Sequence, residues 1–213
     1  MSFKFLSEHV SVDLIAQLSD DELGILCSEN NFNPHFSLDI QKAIFARIKT
    51  RYENTPFSFD NSLNFEYHDY EYFFALNRDL APELLSALAK FGSDAVIVAV
   101  AANPSTPVEA LAYLVQEDKL YDFGTAASIL DNPSCNGQLA LEIGQKNTEV
   151  GCLGDDVDYA LSTCSALSDV DIRILVTKHW ISETYYENLL AHPNIADETK
   201  SLINELIIQI SSN

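Results

Sequence analysis

Basic residues are scarce in this chain of 213 residues: 12 Lys and Arg stand against 32 Asp and Glu, for a formal net charge of −20. Holding phosphates requires a basic face, so this balance argues against direct binding to nucleic acid or to an anionic lipid surface. Long apolar runs are also missing, and none approaches the ~20 residues of a membrane span. The segment Met1-Ser2-Phe3-Lys4-Phe5-Leu6-Ser7-Glu8-His9 has neither the apolar stretch nor the small-residue cleavage site of a secretory signal, and a cytoplasmic location is expected. Cys27, Cys135, Cys152 and Cys164 include no C-x-x-C pair, unlike most zinc and iron–sulfur sites. They read as small buried residues in a reducing compartment. The seven glycines are scattered, with no phosphate-binding loop, and neither G-x-S-x-G nor H-E-x-x-H occurs. His68 sits beside Asp69 in an acidic, aromatic stretch, where it reads as an exposed polar residue. The expectation is a protein that is not an enzyme and has no cofactor and no metal. With 47% hydrophobic and 21% charged residues, the chain can nevertheless bury a core.

An internal repeat organises that core. Leu76-Asn77-Arg78-Asp79-Leu80-Ala81-Pro82-Glu83-Leu84-Leu85 is echoed by Ala102-Asn103-Pro104-Ser105-Thr106-Pro107-Val108-Glu109-Ala110-Leu111, so that Asn77, Glu83 and Leu85 align with Asn103, Glu109 and Leu111. Further copies begin at Asp131-Asn132-Pro133-Ser134-Cys135, more weakly at Ser162-Thr163-Cys164-Ser165, and at Ala191-His192-Pro193-Asn194-Ile195. Asn-Pro or His-Pro ends one helix, because the residue before proline is driven out of the helical region. Ser or Thr is then placed to cap the next helix, and Glu83 and Glu109 fall in a first turn, where the helix dipole favours a carboxylate. Second helices are predicted over Asp94–Ala102, Asp122–Leu130, Val157–Cys164 and Glu183–Ala191. One such hairpin cannot bury its apolar face alone, so successive units must stack.

The motif Asn103-Pro104-Ser105-Thr106-Pro107-Val108-Glu109-Ala110-Leu111 resembles the leucine-rich repeat variant family, and His192-Pro193-Asn194-Ile195-Ala196-Asp197-Glu198 looks like a second instance. The resemblance covers roughly residues 70–207. It implies an all-α fold, a right-handed α-solenoid of stacked helix-turn-helix repeats of about 26–31 residues. The iron–sulfur cluster known in that family needs a cysteine-rich N-terminal segment, whereas only Cys27 precedes residue 131, so no cluster is expected. Residues 1–66 read as an atypical helical N-terminal cap with a long loop, and residues 67–213 as the repeat array, in one continuous domain. Within the cap, Val10–Cys27 reads as two short helices with Ser19-Asp20-Asp21-Glu22 as a capping box, Ser37–Ile48 as a degenerate repeat, and residues 52–66 as the loop.

The acidity belongs to the repeats. Residues 1–51 hold five basic and seven acidic side chains, residues 52–213 seven and 25. Carboxylates recur near the starts of the predicted second helices, at Asp94, Asp122, Asp155, Asp156, Asp158 and Glu183, where stacking would align them as an acidic ladder. Tyr121, Phe123, Tyr159, Tyr185 and Tyr186 travel with them, and Tyr67–Tyr72 adds another acidic, aromatic cluster. Helix capping and solubility explain the carboxylates and core packing the aromatics. The combination favours an interaction surface, since Tyr anchors interfaces and an acidic rim steers a basic partner. The expected contact residues are Tyr67, Asp69, Tyr70, Glu71, Asp122, Asp155, Asp156, Asp158, Glu183 and Tyr185. The expected role is an acidic inhibitor that binds and neutralises a basic protein, in its most concrete form a bacterial immunity protein against a nuclease toxin, whose phosphate-holding active site is basic. The alternatives are a constitutive helical-repeat scaffold or assembly subunit, and a nucleic-acid mimic.

Overall fold

A computed structural model describes residues 10–28, 35–54, 70–117, 119–120, 124–150 and 155–212, the side chains of Asn54, Val150 and Asp155 excepted. Among these residues the fold is all-helical, with thirteen α-helices, one 3-10 turn and no strand. None of the helices is long and apolar enough to cross a membrane. The chain divides into two compact units, residues 1–107 and 108–213, so the boundary falls at Pro107/Val108, inside the expected repeat array.

The first unit contains α1 (Val12–Gln17), α2 (Asp20–Ser28), α3 (Leu38–Asn54), α4 (Tyr70–Ala75), α5 (Pro82–Phe91) and α6 (Asp94–Ala102). Ser11 Oγ caps α1 by accepting the Leu14 N–H at 3.2 Å. The capping box expected before α2 is formed: Ser19 N–H donates to Glu22 Oε2 at 2.8 Å and Glu22 N–H to Ser19 Oγ at 3.2 Å. Helix α3 runs through Asn54, past the expected loop start at residue 52, and residues 55–69 lie outside the described residues. Helix α1 packs on α3, α3 on α5, α2 on α4, and α4 on α6. Ile15, Leu23, Ile44, Ile48, Tyr70, Phe74, Leu85, Leu88 and Val100 are buried between them.

The second unit contains α7 (Val108–Gln116), α8 (Thr125–Asp131), α9 (Gly137–Val150), α10 (Asp155–Thr163), α11 (Asp169–Thr177), a 3-10 turn (Glu183–Tyr185), α12 (Tyr186–Leu190) and α13 (Asp197–Ser211). Two rows result. Helices α7, α9, α11 and α13 pack in series, and α8, α10 and α12 form the second row. The burial pattern repeats with the sequence. Leu84, Leu85, Leu88 and Ala89 are buried on α5, and the residues 26 positions later, Ala110, Leu111, Leu114 and Val115, are buried on α7. Helix α8 begins at Thr125, later than the expected Asp122, because Gly124 adopts a left-handed φ of 87° just before it.

Buried side chains at the repeat turns tie successive copies together. Asn103, 1% exposed, donates through Nδ2 to the carbonyls of Ala75 at 2.6 Å and Asn77 at 2.8 Å, one repeat earlier. Its Oδ1 accepts the Ser105 N–H at 2.9 Å and shapes its own turn. Asn77 and Asn132 make the same local bond, from the N–H of Asp79 and of Ser134. His192, 5% exposed, replaces asparagine in the last copy. Its Nδ1 accepts the Asn194 N–H at 3.2 Å, so Nε2 carries the proton and donates to the Cys164 carbonyl at 3.0 Å. Asn194 adds a bond from Nδ2 to the Leu167 carbonyl at 2.8 Å. Each tie gives a carbonyl of the preceding turn a side-chain donor, in addition to the backbone N–H of Leu80 at Asn77 and of Leu167 at Cys164.

Two expectations about caps are corrected. Thr106 does not cap α7: its buried hydroxyl donates to the Val100 carbonyl at 2.5 Å. Helices α5 and α13 begin after alanines, Ala81 and Ala196, which offer no side-chain cap. The N–H of Ala81 is accepted instead by Gln41 Oε1 at 2.9 Å, and that of Ala196 by Asp169 Oδ1 at 2.8 Å.

Candidate partner-binding site

The sequence-expected contact residues separate into four groups. Tyr67, Asp69 and Asp122 lie outside the described residues, and of Asp155 only its place at the start of α10 is described. Tyr70 and Glu71 are core residues, 1% and 4% exposed. Glu71 pairs at 2.8 Å with Arg51, which comes from α3. The clustering of Glu71 with tyrosines therefore reflects core packing and an ion pair between a buried carboxylate and the solvent-exposed Arg51, and neither Tyr70 nor Glu71 presents a surface to a partner in this structure. Arg47 plays a related part: it donates to the Ile15 carbonyl at 3.1 Å and to the Leu18 carbonyl, and pairs with Asp20 at 2.8 Å. Basic residues of the first unit thus serve its own helix ends.

Asp158 is half-buried and holds three segments together. Its Oδ1 accepts from Asn147 Nδ2 of α9 at 2.8 Å, and its Oδ2 accepts the Ser182 N–H at 3.1 Å. This second bond sets the start of the 3-10 turn against the first turn of α10. Ser182 in turn caps that 3-10 turn through the Thr184 N–H.

The remaining residues meet at this edge of the second unit. Asp156 and Glu183 are exposed. Tyr159, one turn into α10, is 57% exposed and lies edge-on to Tyr185, with ring centroids 6.4 Å apart and an interplanar angle of 67°. Glu187 is exposed one residue beyond the buried Tyr186. The result is an exposed Tyr159 ring against a half-buried Tyr185 beside carboxylates, held by Asp158 and by the packing of α10 on α12. Tyr159 carries the largest exposed aromatic area here and was anticipated only as one of the aromatics accompanying the acidic positions. Its place on the outside of a short helix is set by the buried stripe Val157, Ala160 and Leu161.

Such a surface has clear chemical limits. It can attract Lys and Arg side chains by charge and by the negative faces of the rings. Among the described residues no group of three or more His, Cys, Asp or Glu side chains is placed to hold a metal ion. Burial pushes the Tyr186 hydroxyl above its ordinary range, helped by the nearby Glu183. Cys27 is pushed up to about 12 by burial and by the Glu71 charge, which makes it inert as a nucleophile. Asp169 is shifted the other way: the Ala196 N–H first, then the Thr199 hydroxyl and Arg173, hold its carboxyl below the usual carboxylate range. Comparison with protein-family models, curated proteins and solved structures finds no match to this chain.

Proposed function

We propose that this protein is a partner-binding module that recognises a basic protein through the acidic, aromatic edge formed by Asp156, Tyr159, Glu183 and Tyr185. The observation that carries the reading is the exposed Tyr159 ring, set edge-on to the half-buried Tyr185 beside these carboxylates. The second unit adds to it, with five Lys and Arg against seventeen Asp and Glu. Its field attracts basic surfaces and repels acidic ones. In its most specific form the reading is an inhibitor that neutralises a basic toxin, with an immunity protein against a nuclease as the leading case. A nuclease cleft must concentrate positive charge to hold phosphates, and an acidic protein that covers it removes both access and field. The tyrosines would serve as anchors and the carboxylates as partners for Lys and Arg at the cleft. The turn-to-turn hydrogen bonds within each unit support the further proposal that the repeats form a right-handed solenoid similar to the leucine-rich repeat variant proteins.

The internal bonding of Asp158, Asp169 and Glu71 favours a second reading, a constitutive scaffold in which carboxylates serve the fold and solubility. Capture from a lysate at about 50 mM and about 500 mM salt separates the two, because exposed charge pairs are screened over this range. The inhibitor reading requires a basic protein retained at low salt and released at high salt, whose nuclease activity falls on adding the chain stoichiometrically. Binding that is indifferent to salt, or a partner without nuclease activity that is unaffected by the chain, would support the scaffold.

A further inference from the structure

Among the described tyrosines only Tyr159 is exposed, at 57%. The others are buried or half-buried, and two of them hold a cation of the chain itself over the ring. Arg51 stands 6.0 Å from the Tyr70 centroid, and Lys119 stands 5.6 Å from that of Tyr113. Among the described residues no Lys or Arg stands over Tyr159 in this way. Its neighbour Tyr185 meets it edge-on, at 67° and 6.4 Å between centroids. An edge-on neighbour covers at most one face of a ring, so a face of Tyr159 is left to solvent.

The same helix supplies a counter-charge. Asp156, Tyr159 and Thr163 follow at i, i+3 and i+7 on α10, and all three are exposed, whereas Val157, Ala160 and Leu161 are buried in the core. Side chains three apart on a helix are neighbours, which puts the Asp156 carboxylate next to the Tyr159 ring. Among the described residues Asp156 makes no hydrogen bond or ion pair. In this it differs from Asp158, held by Asn147 and Ser182, and from Asp169, held by the Ala196 N–H. Glu183 is also exposed, on the 3-10 turn that carries Tyr185.

Resting on the basic-partner reading above, we infer that this face of α10 seats one arginine side chain of the partner, its guanidinium flat on the open face of Tyr159 and hydrogen-bonded to Asp156. Arginine is selected over lysine by the chemistry of the two cations. A guanidinium is planar and weakly hydrated, so it stacks on a ring while its in-plane N–H groups reach a carboxylate. An ammonium is a compact, strongly hydrated charge that loses more on leaving water for an exposed ring. Tyr185 steadies the Tyr159 ring from its side, and Glu183 adds to the negative field around the seat.

Two peptides of equal charge test this on the full-length protein: a capped lysine pentapeptide, and the same peptide with arginine as its central residue. Titrations followed by nuclear magnetic resonance at about 50 mM salt give both affinities. The arginine peptide should bind about two- to fivefold tighter, the range of an exposed cation–ring contact, and its arginine Cδ protons should shift upfield over the Tyr159 ring. Tyr159→Leu should bring the ratio of the two affinities to about one and abolish the shift, and Tyr159→Phe, which keeps the ring, should restore both. Equal affinities in the parent protein, with both peptides bound, would overturn the arginine seat and leave the basic-partner reading standing. A preference for arginine that survives Tyr159→Leu would also overturn it, because the preference then arises elsewhere. Failure of both peptides to bind at this salt would overturn the basic-partner reading of this edge and the seat with it.

Discussion

At the scale of single residues, the ladder positions carry stability that their polar character disguises. Asn103 is buried because its amide meets two carbonyls of the preceding repeat and its oxygen closes its own turn. Replacing it with alanine removes the donor to the Ala75 carbonyl and the second donor to that of Asn77, and Asn103→Ala should cost about 2–3 kcal/mol in a urea melt, more than a surface substitution. His192 performs the same task with a longer ring, so His192→Asn should cost about half as much as His192→Ala, which removes both its bonds. The aligned asparagines made this part of the structure legible from sequence, and His192 fell into line as a turn residue. Glu71 was misread for a physical reason. Its cation, Arg51, stands twenty residues upstream on another helix, and nothing local to Tyr67–Tyr72 reveals it. The structural part of Asp158 was equally hidden, since its donors come from Asn147 and Ser182.

Asp169 gives a pH dependence of defined sign. Its folded pKa is depressed, so the unfolded chain takes up the proton first on acidification. Its contribution is full above the ordinary carboxylate value near about pH 4 and is lost as pH falls through the depressed folded value. Asp169→Asn should therefore lower the melting temperature at neutral pH, and the gap to the parent protein should narrow steadily toward about pH 2. A gap that is constant across this range would remove Asp169 from the account of acid stability.

At the scale of elements, helices were read more reliably than their ends. The repeated buried stripe, Leu84, Leu85, Leu88 and Ala89 on α5 and its copy on α7, is a local pattern of 3.6 periodicity and is visible in the residues themselves. The ends depend on partners from elsewhere. Helices α5 and α13 start at alanines because Gln41 and Asp169 supply the acceptors, and no composition rule at Ala81 or Ala196 announces this. Helix spacing also depends on a distant partner at Gly144. A Cβ there would stand 2.9 Å from Leu175 Cδ2 and 3.3 Å from the Trp180 carbonyl, so α9 approaches α11 closely at this point. Gly144→Val should force these helices apart and destabilise the protein by about 1–3 kcal/mol, despite better helix propensity than glycine. Equal or greater stability in a thermal melt would show that the contact has slack.

At the scale of the whole molecule, charge and repeats point the same way but differ in how far sequence could take them. The all-helical character follows from periodicity, capping and the Asn-Pro punctuation, and thirteen helices are observed among the described residues. The acidic, aromatic edge was only half legible. Sequence marked Asp156, Glu183 and Tyr185 by their positions near helix starts, but the pairing of Tyr159 with Tyr185 needed the packing of α10 against α12, brought about by residues 24 or more positions apart. The central claim is that this edge binds a basic protein. Charge-reversed Asp156→Lys/Glu183→Lys, confirmed to fold by its far-ultraviolet dichroism and melt, compared with the parent protein for retention of the captured basic partner, tests it most directly. The account predicts at least about a tenfold loss of affinity at low salt, with the difference shrinking as salt rises. Equal affinity of the two proteins at low salt would contradict it.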